Sequence, residues 1–69
     1  MADGAGLAAV ERWFERLGYQ ISHTTYGNGV VWANLVRPQD GSIIAPKYGR
    51  GSGRLEAARS AQDRYKVEQ

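Results

Sequence analysis

The chain has no cysteine and one histidine, His23, among its 69 residues. Those two absences exclude a disulfide framework, a thiolate zinc site, a cysteine nucleophile and a histidine-based metal cluster. Cysteine-free composition matches a reducing compartment, so the expected location is the cytoplasm. No apolar run approaches the roughly 20 residues that span a bilayer. Met1 to Gly6 carries neither a charged n-region nor an apolar h-region, so the reading is a soluble, unprocessed protein with no membrane partner. With two prolines, no low-complexity tract and no long linker, residues 1–69 read as a single small domain. That length lies near the lower limit for a fold held by one apolar core, where a partner or self-association adds stability.

A lone histidine acts as a general base only where a partner orients it. Around His23 the chain offers Ser22, Thr24, Thr25 and Tyr26, which are hydroxyls without a carboxylate. His23 therefore reads as a partly solvated strand residue. The acidic residues are scattered over helix faces and a turn, which leaves paired-carboxylate hydrolysis without support. The expectation is a protein that is not an enzyme and holds no cofactor or metal.

Charge is present but uneven. Through Val36, Arg12 and Arg16 stand against Asp3, Glu11 and Glu15, a net of −1. From Arg37 onward the basic residues Arg37, Lys47, Arg50, Arg54, Arg59, Arg64 and Lys66 outweigh Asp40, Glu56, Asp63 and Glu68, a net of +3. A basic second half favours an anionic partner.

Hydrophobic periodicity predicts a first helix from about Gly6 to Leu17, with Leu7, Val10, Trp13 or Phe14, and Leu17 on one face. Asp3 is a candidate start cap and Gly18 a candidate end. Glu11 and Glu15 fall on the polar side, spaced to pair with Arg12 and Arg16. Tyr19 to Tyr26 alternates and is rich in β-branched and aromatic residues, predicting a strand; Gly27-Asn28-Gly29 predicts a tight turn. Val30 to Val36 follows as strand two, Arg37-Pro38-Gln39-Asp40-Gly41 as a hairpin loop, and Ser42 to Lys47 as strand three. Pro46 predicts that strand three ends there or lies at an edge. The last helix is predicted from about Arg54 to Lys66, with Ser52 or Gly53 as cap and Leu55, Ala58, Ala61, Gln62 and Tyr65 on its packing face. Ala57 falls at the border of that face. Arg59 is spaced to pair with Glu56 and Asp63, and Asp63 with Lys66.

Between the third strand and that helix lies Lys47-Tyr48-Gly49-Arg50-Gly51-Ser52-Gly53-Arg54. It reads as a basic, glycine-punctuated loop, and free backbone N–H groups at a helix start beside arginines make an anion site. The expected fold is α+β, α-β-β-β-α, with two helices on one face of a three-stranded antiparallel sheet. Its expected core is Leu7, Val10, Phe14, Leu17, Leu55, Ala58, Ala61 and Tyr65. The other sheet face then stays open. In strand two Val31, Ala33 and Leu35 alternate with Val30, Trp32, Asn34 and Val36, so either set places large apolar groups there.

This order resembles the double-stranded RNA-binding domain over nearly the whole chain, most closely from Gly49 to Tyr65. Gly51, Gly53 and Arg54, followed by Ala57 and Ala61, match that family's loop and alanine-packed helix. In the family, basic residues at this helix start bind phosphates, and the first helix and first hairpin turn contact minor grooves. The resemblance implies a phosphate contact for Arg54 with Arg50 assisting. Leu55 and Ala58 stand where the family carries further lysines, and Tyr26-Gly27-Asn28-Gly29 lacks its proline-histidine signature. The strand Val31–Val36 with Pro38, Gly41 and Leu55 is also similar to integrase N-terminal domains, which implies Trp32, Asn34 and Arg37 as DNA readers. Leu17-Gly18-Tyr19 before a hairpin resembles small ribonuclease toxins. Their catalytic histidine follows a glycine-serine pair entering strand two, where this chain has Asn28-Gly29-Val30.

Two functional expectations result. The first is a nonenzymatic nucleic-acid-binding module in which Lys47, Arg50 and Arg54, with Arg59 adding to them, contact phosphates. The alternative is a protein-interaction module or small inhibitor, as a homodimer or with a protein partner, using an apolar open sheet face around Trp32 and Asn34.

Overall fold

In the computed structural model residues 2–69 are described, with side chains from Gly6 onward. Helix α1 (Ala2–Glu15) leads into strands β1 (Gln20–Thr25), β2 (Val31–Val36) and β3 (Ile43–Gly51), and helix α2 (Arg54–Glu68) closes the chain. The strands form one antiparallel sheet in chain order, β1-β2-β3. This is the α+β, α-β-β-β-α architecture.

Helix α1 starts earlier and stops sooner than its periodicity suggests. Asp3 lies inside it and so does not precede it as a cap. At the other end Gly18 takes a left-handed φ of 91°, and its N–H donates to the Glu15 carbonyl at 3.0 Å while the Tyr19 N–H donates to Phe14 at 3.0 Å. That pair of bonds closes a helix with a glycine just beyond its end. The turn swings Leu17 off the packing face, and Leu17 is 43% exposed instead of sitting in the core.

The core lies between the helices and one sheet face. Val10 and Phe14 of α1, Val31, Ala33 and Leu35 of β2, Tyr48 of β3 and Ala57, Ala58 and Ala61 of α2 form it, with Phe14 fully buried. Leu7, Leu55 and Tyr65 pack against it, as does Trp13. Trp13, Phe14, Tyr19 and Tyr65 meet edge to face with centroids 5.0 to 6.1 Å apart, the geometry favoured by aromatic quadrupoles. Ala57, expected at the margin of the α2 face, is fully buried.

The largest departure concerns the glycine-punctuated segment. It is not a loop: β3 continues through Pro46 to Gly51, and only Ser52 and Gly53 connect it to α2. Pro46 is tolerated because β3 is an edge strand. Gly49 and Gly51 are there for packing. A Cβ on Gly49 would collide with the Ala57 carbonyl oxygen and the Ala61 backbone nitrogen, and one on Gly51 with the backbone and Cβ of the first α2 turn. The two glycines let an alanine-faced helix lie directly on the strand.

Candidate nucleic-acid interface

Because Val31, Ala33 and Leu35 belong to the core, alternation turns Trp32, Asn34 and Val36 toward the open face. The opposite assignment, with Trp32 inside, is thereby excluded. Regular pairing carries the pattern across β1: Gln20, Ser22 and Thr24 stand opposite Val36, Asn34 and Trp32. On the other side Arg50 stands opposite Trp32.

Between the Ala33–Gly49 and Leu35–Ala45 pairs, β2 contributes one residue and β3 contributes Pro46, Lys47 and Tyr48. The sheet absorbs the surplus as a bulge. Lys47 takes φ 52°, the one positive φ outside glycine among the described residues. Its N–H, which has lost its ladder partner, donates instead to the Asn34 side-chain oxygen at 2.8 Å. Asn34 is buried and spends its amide N–H groups on the hydroxyls of Ser22, 3.3 Å away, and Thr24, 3.2 Å away. A buried polar side chain is tolerated when it is satisfied in this way. Asn34 therefore fixes the bulge and is not itself an exposed contact.

The bulge aims Lys47 across the open face. Its ammonium lies 5.4 Å from the Tyr26 ring centroid and 5.7 Å from that of Trp32, and the Arg50 guanidinium lies 5.7 Å from Trp32. Two cations and two aromatic rings thus share one face, within cation–π range. Tyr26 is 43% exposed and Trp32 half-buried. Tyr26 is held by the turn after β1: its carbonyl accepts from Gly29 N–H at 2.9 Å, its N–H donates to Val30 at 3.0 Å, and Gly29 has φ 86°. The surface has a depression of about 480 Å³ on the helix side and one of about 430 Å³ beside Arg50, bounded by Asn28, Gly29 and Ser52.

The four basic residues singled out by sequence are not one cluster. Lys47 and Arg50 lie together on the sheet face. Arg54 begins α2 and stands beside His23, whose strand position faces the helices. Arg59 lines the groove between α1 and α2 with Arg12 and Arg16. The expected pairs of Glu11 and Glu15 with Arg12 and Arg16, of Arg59 with Glu56 and Asp63, and of Asp63 with Lys66 do not form; the ion pairs among the described residues are Arg37–Asp40 at 3.5 Å and Arg64–Glu68 at 3.1 Å. Glu56 instead accepts from the Ser52 hydroxyl at the helix entry. Tyr26 is not among the residues singled out by sequence; the signal that could have found it is the parity it shares with Gln20, Ser22 and Thr24. The Lys47 bulge left no such signal.

His23 pairs with Ala33 and so lies on the helix-facing side of β1. Burial is the leading effect on it and pulls its pKa below 6.5, with the Arg54 backbone opposing and the Arg54 charge adding to the drop. Its Nε2 is buried without a hydrogen-bond partner among the described residues. No three His, Asp or Glu side chains converge as a metal site among those residues, and no helix is long and apolar enough to cross a membrane. Comparison with protein-family models, curated proteins and solved structures finds no match to this chain.

Proposed function

We propose that this protein is a nonenzymatic binding module for single-stranded nucleic acid, and that the open sheet face is its reading surface. The supporting observation is the grouping of Lys47 and Arg50 over Tyr26 and Trp32. Bases stack on exposed aromatic rings while cations on flexible stems follow the phosphates, a combination that binds single strands with little sequence preference. A duplex hides its base faces, so rings on an open sheet have more to offer an unpaired strand. Lys47 and Arg50 carry the phosphate contacts in this reading. Arg54 and Arg59 stand on the helix layer, outside it.

The test is a titration of the protein with a fluorescent oligothymidine and an oligouridine of the same length at low salt. Lys47→Glu with Arg50→Glu should abolish binding to the sheet face and leave the melting curve in place. If neither strand binds at low salt, the reading is wrong.

A second reading rests on Ile43 and Ile44, which are 56% and 43% exposed at the start of β3. Apolar residues at that edge suit a protein contact, with a partner or a second copy. Sedimentation of the free chain tests it: self-association weakened by Ile43→Lys and Ile44→Lys would favour this reading.

A further inference from the structure

Helix α1 arranges its charges in two like-signed columns. Arg12 and Arg16 are four residues apart, as are Glu11 and Glu15, a spacing that sets like charges side by side on a helix. Neither column is paired within the described residues. The acidic column flanks the β1 edge, where Glu11 and Glu15 line a cleft with Gln20 and Ile21. The basic column turns to α2, where Arg12 and Arg16 join Arg59 around a groove of about 480 Å³ walled by Trp13. Lys66 completes the set, its ammonium 5.6 Å from the Trp13 ring centroid.

The helix layer thus shares a pattern with the sheet face: a tryptophan under an ammonium, with guanidinium groups nearby, Arg50 on the sheet and Arg12, Arg16 and Arg59 around the groove. The two assemblies lie on opposite sides of the core. A phosphate chain leaving the sheet face over the β1 edge meets Glu11 and Glu15, which repel it. Two separate strands avoid that barrier.

We infer that the α1–α2 groove is a second nucleic-acid site, and that one molecule of this protein bridges two single strands, one on each face. This rests on the single-strand reading of the sheet face. Arginine's planar fork suits phosphate oxygens, and Trp13 gives the groove an aromatic wall as Trp32 does for the sheet. An acidic protein segment would meet the same guanidinium groups but has no use for a second tryptophan under an ammonium on the opposite face.

The experiment is a co-capture assay. Biotinylated 20-nucleotide oligothymidine on beads is mixed with the wild-type protein and fluorescent 20-nucleotide oligothymidine, and retained fluorescence is read. Wild type should retain the second strand. Arg12→Glu with Arg16→Glu and Arg59→Glu should still bind the immobilised strand through the sheet face, yet retain about tenfold less of the second. Lys47→Glu with Arg50→Glu should also lose co-capture. Because these side chains are exposed, unchanged thermal melts should accompany both sets. The two tryptophans give a second readout, since oligothymidine should shift the indole N–H resonances of both Trp32 and Trp13 in the wild type, and of Trp32 alone in the groove variant. Binding without co-capture would overturn the bridging inference alone, as would co-capture that survives the groove substitutions, which would come from self-association. Capture of a polyglutamate peptide by the groove in place of the second strand would also overturn it. Failure to bind even the first strand would overturn the single-strand reading as well.

Discussion

The side-chain oxygen of Asn34 accepts the Lys47 N–H at 2.8 Å, standing in for the ladder partner that the β3 bulge takes away. One amide thereby connects sheet geometry to the candidate site: it holds a left-handed lysine whose ammonium reaches Tyr26 and Trp32. Asn34→Ala should leave the Lys47 N–H unsatisfied and cost about 1–3 kcal/mol. Urea denaturation measures the loss. Weakened oligonucleotide binding at temperatures where the variant is still folded would follow from the displaced lysine. An Asn34→Ala protein with unchanged stability would mean that the bulge holds itself.

Glycine at position 49 is a packing requirement, and Gly53 is not. Gly49→Ala should destabilise by about 1–3 kcal/mol or more, because its methyl meets backbone atoms of α2 that cannot move aside cheaply. Gly53→Ala meets nothing within 4 Å and has φ −154°, an extended conformation open to any residue, so it should be close to neutral. Parallel thermal melts make the comparison. Equal tolerance at both positions would return the segment to the loop that its composition suggests.

That segment shows where sequence legibility ends. Strand order, the two helices and the alternation of β2 follow from local periodicity, and so does the placement of Trp32 once one face is known to be covered. The β3 extension does not, because glycines that let a helix approach look identical in sequence to glycines that free a loop. The distinction is made by Ala57 and Ala61, residues several positions away. Leu17 misleads for a related reason: its spacing continues the α1 stripe, but the Gly18 turn ends the helix before the stripe reaches it. For the site, the split of Lys47 and Arg50 from Arg54 and Arg59 depends on which layer each element occupies, which linear spacing does not encode.

Stability should fall on both sides of neutral pH, for identifiable reasons. Burial keeps the His23 pKa below 6.5 in the fold, so the unfolded chain takes up the proton first and stability declines as pH drops below that value. Glu68 adds to the acid-side loss: hydrogen bonds from Tyr48, at 2.5 Å, and from Arg64 hold its carboxyl below 4.5, and protonation weakens them. On the alkaline side, burial and the Glu68 carboxylate push Tyr48 from 10.0 up to about 12. The unfolded chain therefore loses that proton first, and stability declines as pH rises from 10 toward 12. Tyr48→Phe should remove the alkaline decline, and His23→Leu should flatten the first part of the acid decline. Denaturation midpoints measured across pH check both.

Substitutions at Trp32 and Phe14 distinguish the proposed binding surface from the core. Trp32→Ala should weaken oligonucleotide binding by about 1–3 kcal/mol, the worth of one stacked base, with little change in unfolding. Phe14→Ala should do the reverse, costing about 3–5 kcal/mol of stability because Phe14 is fully buried. Calorimetric melts beside binding titrations distinguish them.

In the proposed function, Lys47 and Arg50 over Tyr26 and Trp32 meet a single strand on the sheet face. The most direct test of that contact is a salt series of oligothymidine affinities for the wild type and for Lys47→Glu with Arg50→Glu, each in an Arg12→Glu, Arg16→Glu, Arg59→Glu background that isolates this face. Two phosphates neutralised by Lys47 and Arg50 give a slope of log affinity against log salt of about −1.4, since each single-strand contact contributes about −0.7. The parent should show that slope, the added substitutions should abolish binding, and the Trp32 indole resonance should move on titration. Affinity that is insensitive to salt, or that persists after Lys47→Glu and Arg50→Glu, would contradict the proposed contact.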